Sequence, residues 1–183
     1  MIENVKIYLS VAIRGDYFME NGNSIQKQLV TALKEKNLTV ATAESLTGGM
    51  VSEIITSVSG ASSVIECGVC SYSNRIKHEV LGVSKQTLGN YTEYSIQTAE
   101  EMAYGVRKLS GASIGISTTG IAGPNGGTEE KPVGTVFIGV SSKFGTVGRK
   151  FLFGEQGMSD RETIRRITAE TALKIALEEV MKH

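Results

Sequence analysis

A serine on a glycine-rich turn is the residue of this chain best suited to nucleophilic chemistry. Ser45 lies in residues 41–49 (ATAESLTGG), between an extended segment and a segment with the apolar spacing of a helix. A strand that enters a helix through such a turn leaves the first helical N–H groups without partners, and these favour an anion or a developing oxyanion. Ser45 is therefore a candidate nucleophile. On this segment alone, a simpler interpretation is favoured, in which Ser45 or Thr47 caps the helix and the glycines shape the turn.

A serine nucleophile needs a base to accept its proton. Neither histidine supports a Ser-His-Asp triad, because His183 is the last residue, where we expect disorder, and His78 falls on the surface of a short helix. Lysine is the other established partner, provided that its pKa is lowered. Lys77 follows the next predicted strand, and successive strand ends meet at one sheet edge. Tyr72, nearby, could hydrogen-bond Ser45 or Lys77 and pass a proton. A surface lysine and a core tyrosine remain the alternatives.

Two further features could hold a phosphate. Arg165 and Arg166, with Arg161 just before them, fall in the first turns of the last predicted helix, and a forked guanidinium binds phosphate through two hydrogen bonds. A solvated helix face explains any one of these arginines equally well. Residues 120–127 (GIAGPNGG) form a glycine-rich loop whose backbone N–H groups could cradle a phosphate. The loop is neither a Walker A motif nor a G-x-G-x-x-G motif.

Composition excludes several functional classes. The 183 residues are enough for one domain with its own core. Lysines plus arginines and aspartates plus glutamates both number 19, which argues against a large basic surface for duplex nucleic acid but leaves room for a small local anion site. No apolar run reaches the roughly 20 residues of a membrane helix, and residues 1–10 do not have the pattern of a signal peptide. We therefore expect a cytoplasmic protein without nucleic-acid or membrane partners.

Cys67 and Cys70 have the C-x-x-C spacing of redox and zinc sites. They lie in an apolar run at 64–70 that predicts a strand, and residues three apart in a strand face opposite sides. The chain has no second cysteine pair to complete a zinc site. We therefore expect two small core residues rather than a redox pair.

Apolar periodicity predicts alternating strands and helices. The predicted strands are at 5–13, 38–40, 64–71, 112–118, 133–140 and 146–153. The predicted helices are at 24–36, from 51 to 58, after Ser84, at 95–109 and at 160–181. Residues 72–77 are predicted to be a strand end that turns into a further short helix through Leu81. This alternation indicates an α/β protein, a three-layer α/β/α sandwich with a mixed, mainly parallel sheet and a C-terminal antiparallel hairpin. No linker or repeat divides the chain, so residues 1–183 are predicted to form one domain.

Three segments together resemble the CinA C-terminal domain family. They are residues 42–49 (TAESLTGG), residues 72–77 (YSNRIK), and residues 119–124 (TGIAGP) with Gly126, Gly127 and residues 131–136 (KPVGTV). The resemblance runs from about Ser24 to the C-terminus. Residues 1–23 have no recognisable counterpart, and we interpret them as an extension that could add an edge strand or mediate assembly. The segment at 153–161 is longer than the compact F-x-G-D-R of the family.

The resemblance implies an activity and a set of site residues. The characterised stand-alone members are nicotinamide-nucleotide amidohydrolases, so it implies conversion of nicotinamide mononucleotide to nicotinate mononucleotide and ammonia, by a Ser-Lys mechanism without a metal or cofactor. The catalytic residues of the family fall on Ser45, Lys77 and Tyr72. The oxyanion donors would be backbone N–H groups around residues 46–48. The expected substrate-binding residues are Thr47, Gly48, Gly49, Thr119, Gly120, Ile121, Arg165 and Arg166.

Two other functions remain compatible with the same residues. One is a nucleotide-binding module without turnover that acts through partners, and the other is an amidase for a different small amide. Release of ammonia separates the first from an enzyme, and a panel of amides separates the second from a nucleotide deamidase. The expected partners are a small-molecule nucleotide substrate and other copies of the chain in a homo-oligomer.

Overall fold

A five-stranded mixed sheet forms the centre of the structure, a computed structural model that describes residues 24–158 and 160–183. Its strands are β1 (Val40–Glu44), β2 (Ile65–Cys70), β3 (Ile114–Gly120), β4 (Thr135–Ser142) and β5 (Gly145–Leu152). The strand order is β2-β1-β3-β4-β5. β1 pairs in parallel with β2 and β3, whereas β4 is antiparallel to both β3 and β5, so four of the five strands run in one direction. The strand predicted at 5–13 lies outside the described residues.

Six α-helices connect and cover these strands in the described part of the chain. They are α1 (Ile25–Glu35), α2 (Met50–Thr56), α3 (Asn74–Glu79), α4 (Lys85–Tyr91), α5 (Ile96–Ser110) and α6 (Arg161–Val180). Ser84, Ser95 and Asp160 begin α4, α5 and α6 as side-chain caps, each accepting the N–H of the residue three positions later. These caps confirm the helix starts that the sequence predicts at those three residues.

The two faces of the sheet bury separate apolar clusters. Val40 of β1 packs in the cluster that α1, α2 and α6 share with one face of the sheet. Ala41 and Ala43 pack on the opposite face, together with Met102 and Val106 of α5. Neighbouring residues of β1 therefore point into different layers, as expected for a buried central strand. This arrangement confirms the three-layer α/β/α sandwich.

Glycine lets α5 approach the second face closely. A Cβ atom on Gly139 of β4 would lie 2.4 Å from the carbonyl oxygen of Ala99, and one on Gly115 of β3 would lie 2.1 Å from that of Ala103. Real Cβ atoms do not make such contacts, so the two glycines determine how near the helix lies. The close approach brings the start of α5, and the segment that precedes it, near the carboxyl ends of the parallel strands.

The cysteine prediction is wrong in one respect. β2 is an edge strand whose side chains alternate between half-buried and exposed, so Cys67 is half-buried and Cys70 is exposed rather than in the core. The two thiols face opposite sides of the strand, as the spacing predicts. None of the helices in the described ranges is long and apolar enough to cross a membrane.

Candidate active site

The carboxyl ends of three parallel strands bring the candidate site together. Ser45 follows β1, Lys77 lies on α3 after β2, and the glycine-rich loop begins at the end of β3. The chain leaves β1 toward one face of the sheet and leaves β2 toward the other, which opens a crevice at this edge. The Ser45 N–H donates a 2.9 Å hydrogen bond to the carbonyl oxygen of Thr118 in β3, which fixes the start of the turn.

The Lys77 side chain contacts the Ser45 hydroxyl. Lys77 Nζ lies 3.1 Å from Ser45 Oγ and donates a 2.7 Å hydrogen bond to the carbonyl oxygen of Ser71. Both side chains are buried, Lys77 at 1% exposure and Ser45 at 7%. Burial lowers the pKa of Lys77 to about 8, and the nearby Glu93 carboxylate opposes part of that decrease. An amine with this pKa is neutral often enough near neutral pH to accept the serine proton.

A buried carboxylate that sequence reasoning did not single out holds the nucleophile turn. Glu44, the last residue of β1, accepts the N–H groups of Gly49 at 2.9 Å, Val51 at 3.0 Å and Ser52 at 2.8 Å. It also accepts the Ser52 hydroxyl at 2.8 Å. These donors are at the start of α2, so Glu44 occupies the helix N-terminus that the sequence offered for an anion. An acidic residue at the end of an otherwise apolar buried strand was the signal that could have identified it.

The contacts of Glu44 narrow the choice of oxyanion donors. Gly48 donates its N–H to the Ser45 carbonyl oxygen at 3.2 Å, and the N–H of Gly49 goes to Glu44. Among the residues that the structure describes, no acceptor engages the N–H groups of Leu46 and Thr47. The predicted group of donors around residues 46–48 is therefore reduced to Leu46 and Thr47, because the turn itself uses the N–H of Gly48.

A cavity of about 340 Å³ opens beside the Ser45–Lys77 pair. Two of its walls come from the first part of α3 with the residues before it and from the glycine-rich loop. Of the predicted site residues, it is lined by Ser45, Lys77, Tyr72, Gly120 and Ile121. The cavity also contacts Glu93 and Tyr94, which the sequence analysis did not single out, together with Asn125 of the glycine-rich loop and Arg161, the arginine that precedes the predicted pair.

The Tyr72 hydroxyl does not take the position that the sequence suggested. It accepts a 3.0 Å hydrogen bond from a terminal guanidinium nitrogen of Arg161, rather than contacting Ser45 or Lys77, and its side chain is 64% exposed. The other terminal nitrogen of Arg161 donates to the carbonyl oxygen of Gly123 at 2.8 Å. Arg161 is thereby fixed at the open side of the cavity, where its remaining N–H groups are available to a ligand.

Two predicted phosphate-binding arginines lie outside the cavity wall. Arg165 donates from Nε to the carbonyl oxygen of Leu46 at 3.1 Å and from a terminal nitrogen to that of Thr47 at 2.8 Å. Arg166 forms an exposed ion pair with Glu162, one helical turn earlier, at 3.4 Å. Arg165 therefore holds the back of the nucleophile turn, and Arg166 lies on the exposed face of α6.

The other predicted binding residues that do not line the cavity support its walls. The Thr47 hydroxyl is buried against the Thr118 hydroxyl at 2.7 Å, and the Thr119 hydroxyl donates to the carbonyl oxygen of Glu93 at 2.7 Å. Gly48 and Gly49 both have positive φ, 59° and 99°, which shapes the turn between Ser45 and α2.

The side chains of the two histidines do not contact the Ser45–Lys77 pair. His78 Nδ1 contacts the carbonyl oxygen of Val83 at 2.8 Å. His183, where disorder was expected, packs edge-on against Phe144 with 4.8 Å between ring centroids. Within the described ranges, no group of three or more His, Cys, Asp or Glu residues is arranged to hold a metal ion.

Comparison with known proteins agrees with this architecture. Residues 22–180 match the model of the CinA C-terminal domain. The nicotinamide-nucleotide amidohydrolase PncC of Enterobacter agglomerans is 42% identical over 161 residues, which are 88% of this chain and 96% of that protein. A putative competence-damage inducible protein of Thermoanaerobacter sp. (strain X514) is 46% identical over 176 residues, 96% of this chain but 41% of that protein. This chain thus spans about two fifths of the length of the first curated relatives that it matches.

Solved structures share the fold as well. The competence/damage inducible protein CihA of Agrobacterium tumefaciens matches with a TM-score of 0.79 at 36% identity, over 87% of this chain and 99% of that one. A CinA superfamily protein of Klebsiella pneumoniae matches with a TM-score of 0.82 at 26% identity, over 90% of this chain and 100% of that one.

Proposed function

The chain belongs to the CinA C-terminal domain family, and from that premise we propose that it hydrolyses the carboxamide of nicotinamide mononucleotide to give nicotinate mononucleotide and ammonia. The observation that carries the proposal is the 3.1 Å contact between the buried amine of Lys77 and the hydroxyl of Ser45 at the wall of a cavity. A nucleophile within hydrogen-bond reach of a base with a lowered pKa is the arrangement that acyl transfer requires.

The proposed reaction has two stages. In the first, neutral Lys77 accepts the proton of Ser45, whose oxygen attacks the amide carbon while the Leu46 and Thr47 N–H groups stabilise the oxyanion. The carbon–nitrogen bond then breaks, and ammonia leaves with the proton from the Lys77 ammonium. In the second stage, a water molecule gives a proton to Lys77 and attacks the ester carbon. The bond to Ser45 breaks, and the lysine returns a proton to the serine oxygen.

The cavity suits a ligand with one phosphate at its open side. Arg161, which Tyr72 and Gly123 hold in place, is the proposed phosphate ligand, in preference to Arg165 or Arg166. The glycine-rich loop, whose Gly123 contacts Arg161, supplies a further part of the wall. Assembly into a homo-oligomer remains a prediction.

Ammonia release from nicotinamide mononucleotide by the purified chain tests this function directly. We expect turnover by the parent chain and a loss of roughly 10³-fold or more in Ser45→Ala and Lys77→Met, because the nucleophile and base act as a unit. Ser63→Ala is the matched control, since that exposed hydroxyl is distant in the chain and bonds only the backbone of its own turn.

Three outcomes would count against the proposal. A thermal shift with nucleotide but no ammonia indicates a binding module. Turnover confined to other amides in a panel indicates a different amidase. Full activity in Ser45→Ala would exclude the serine as nucleophile.

A further inference from the structure

Glu93 places a carboxylate in the wall of the cavity. Its nearest side-chain hydrogen bond is a long one, 3.4 Å from Asn74 Nδ2, and no lysine or arginine among the described residues lies within ion-pair distance of it. The carboxylate is close enough to Lys77 to act on its pKa. An unneutralised negative charge therefore faces the space next to the reacting pair.

The backbone around Glu93 is held in place on both sides. Thr92 adopts a φ of +66°, an unfavourable value for a β-branched residue. Lys131 Nζ donates to the Thr92 hydroxyl at 3.1 Å and to the carbonyl oxygen of Tyr94 at 2.8 Å. The Thr119 hydroxyl donates to the carbonyl oxygen of Glu93 itself. Contacts from Thr119 of β3 and from Lys131, which follows the glycine-rich loop, thus fix the segment that presents the carboxylate.

The negative charge of this carboxylate acts on the ligand groups that lie nearest to it: it attracts the cationic pyridinium ring that substrate and product share, and it repels their anionic groups. The repulsion is strongest for the anionic group whose charge lies nearest to it. The substrate and the product of the proposed reaction carry the same phosphate but differ at the reacting group. The substrate has a neutral amide there, whereas the product has a carboxylate. Without a nearby negative charge, the Lys77 ammonium and the oxyanion donors would attract the carboxylate of the product more strongly than the neutral amide of the substrate.

We propose that Glu93 is a specificity-determining residue that repels the carboxylate of the acid product and so favours the neutral amide at the Ser45–Lys77 end of the cavity. This inference rests on the proposed deamidase function. It also accounts for the location of Glu93 near Lys77, because the repulsion must act where substrate and product differ. Product then leaves more readily and competes less with substrate.

Calorimetric binding in a Ser45→Ala background, which holds the amide without turnover, tests the inference. Nicotinamide mononucleotide and nicotinate mononucleotide are titrated into Ser45→Ala and into Ser45→Ala with Glu93→Gln. We expect Glu93→Gln to raise the affinity for nicotinate mononucleotide about tenfold, while the affinity for nicotinamide mononucleotide changes less than about twofold. Glu130→Gln is the matched control, because it removes an exposed carboxylate that follows the glycine-rich loop and does not line the cavity.

The outcomes separate this inference from the function on which it rests. Equal weakening of the binding of both nucleotides by Glu93→Gln would mean that Glu93 binds a group they share, such as the pyridinium ring or the ribose, and would overturn the inference alone. Unchanged affinities for both would do the same. If neither nucleotide binds with Glu93 present or absent, the deamidase function itself fails. A thermal midpoint for each variant verifies that it is folded at the titration temperature.

Discussion

The guanidinium of Arg165, on the last helix, donates a 2.8 Å hydrogen bond to the carbonyl oxygen of Thr47, two residues after Ser45. Its Nε donates to the neighbouring carbonyl of Leu46 at 3.1 Å. Two backbone carbonyls of the nucleophile turn are therefore fixed from behind by one side chain that lies 118 positions away from Thr47 in the sequence. The N–H groups that are proposed to donate to the oxyanion belong to the same two residues, Leu46 and Thr47.

Removing this support should impair both stability and turnover. We expect Arg165→Ala to lower the free energy of unfolding by about 1–3 kcal/mol, because two carbonyls lose charged donors. It should also reduce kcat for ammonia release with little effect on KM. Arg166→Ala is the matched control, and an exposed helical ion pair contributes less than about 1 kcal/mol. For both variants, urea unfolding measures the free energy of unfolding, and steady-state kinetics measure kcat and KM. A KM increase confined to Arg165→Ala would instead favour a role in binding.

Glu44 supports the other side of the turn. Glu44→Gln keeps the size of the side chain but replaces one acceptor oxygen by a donor group that faces the N–H groups of α2. We expect a loss of about 2–4 kcal/mol in the free energy of unfolding, since buried donors lose their acceptor. Glu53→Gln, on the exposed side of the same helix, should cost less than about 1 kcal/mol. Urea unfolding of the two variants compares them, and equal costs would contradict the role assigned to Glu44.

The fold was more accessible from the sequence than the contacts of the site. Alternating apolar segments indicate the layers, and chain order places Ser45 and Lys77 at one sheet edge. Periodicity carries no information on which side chain of a helix turns inward over a distant loop, so Arg161 and Arg165 could not be told apart. Glu93 carries no local signal at all, because its position depends on contacts from Thr119 and Lys131.

The decrease of kcat/KM at acid pH should follow the protonation of Lys77. Only the neutral amine can accept the Ser45 proton, and the pKa of Lys77 is lowered to about 8 by burial. We expect kcat/KM to fall about tenfold per pH unit below that value and to level off above it. Lys77→Arg, whose side chain stays protonated, should be inactive throughout. A profile that is flat between pH 6 and 9 would exclude Lys77 as the base.

The lowered pKa of Lys77 also makes the free energy of unfolding depend on pH. The pKa of Lys77 is lower in the folded chain than the ordinary value of 10.5, so the unfolded state binds more protons between about pH 8 and 10.5. Stability from this residue should therefore rise with pH across that window and be lowest below it, where the buried amine is charged. Lys77→Met removes the effect, and urea unfolding of the parent chain and this variant at several pH values measures the difference.

Tyr72 should act through Arg161 rather than on the proton. Its hydroxyl accepts from the guanidinium and lies on the exposed side of the cavity. We expect Tyr72→Phe to raise KM for nicotinamide mononucleotide about threefold to tenfold, the effect of losing one hydrogen bond that positions a charged group, with kcat nearly unchanged. Steady-state kinetics make the distinction, because a proton-transfer role for Tyr72 would reduce kcat instead.

Arg161 should discriminate between ligands with and without a phosphate. Arg161→Ala is expected to lower kcat/KM for nicotinamide mononucleotide about tenfold to hundredfold, since a charge-assisted hydrogen bond to the phosphate is lost. The activity with nicotinamide riboside, which lacks the phosphate, should change much less. Arg161→Lys keeps the positive charge but loses the paired N–H donors of the guanidinium, so it should recover only part of the preference for the phosphorylated substrate. Equal losses on both substrates would show that Arg161 merely supports the wall through Gly123, and a phosphate ligand would then have to be sought among the backbone N–H groups of the glycine-rich loop.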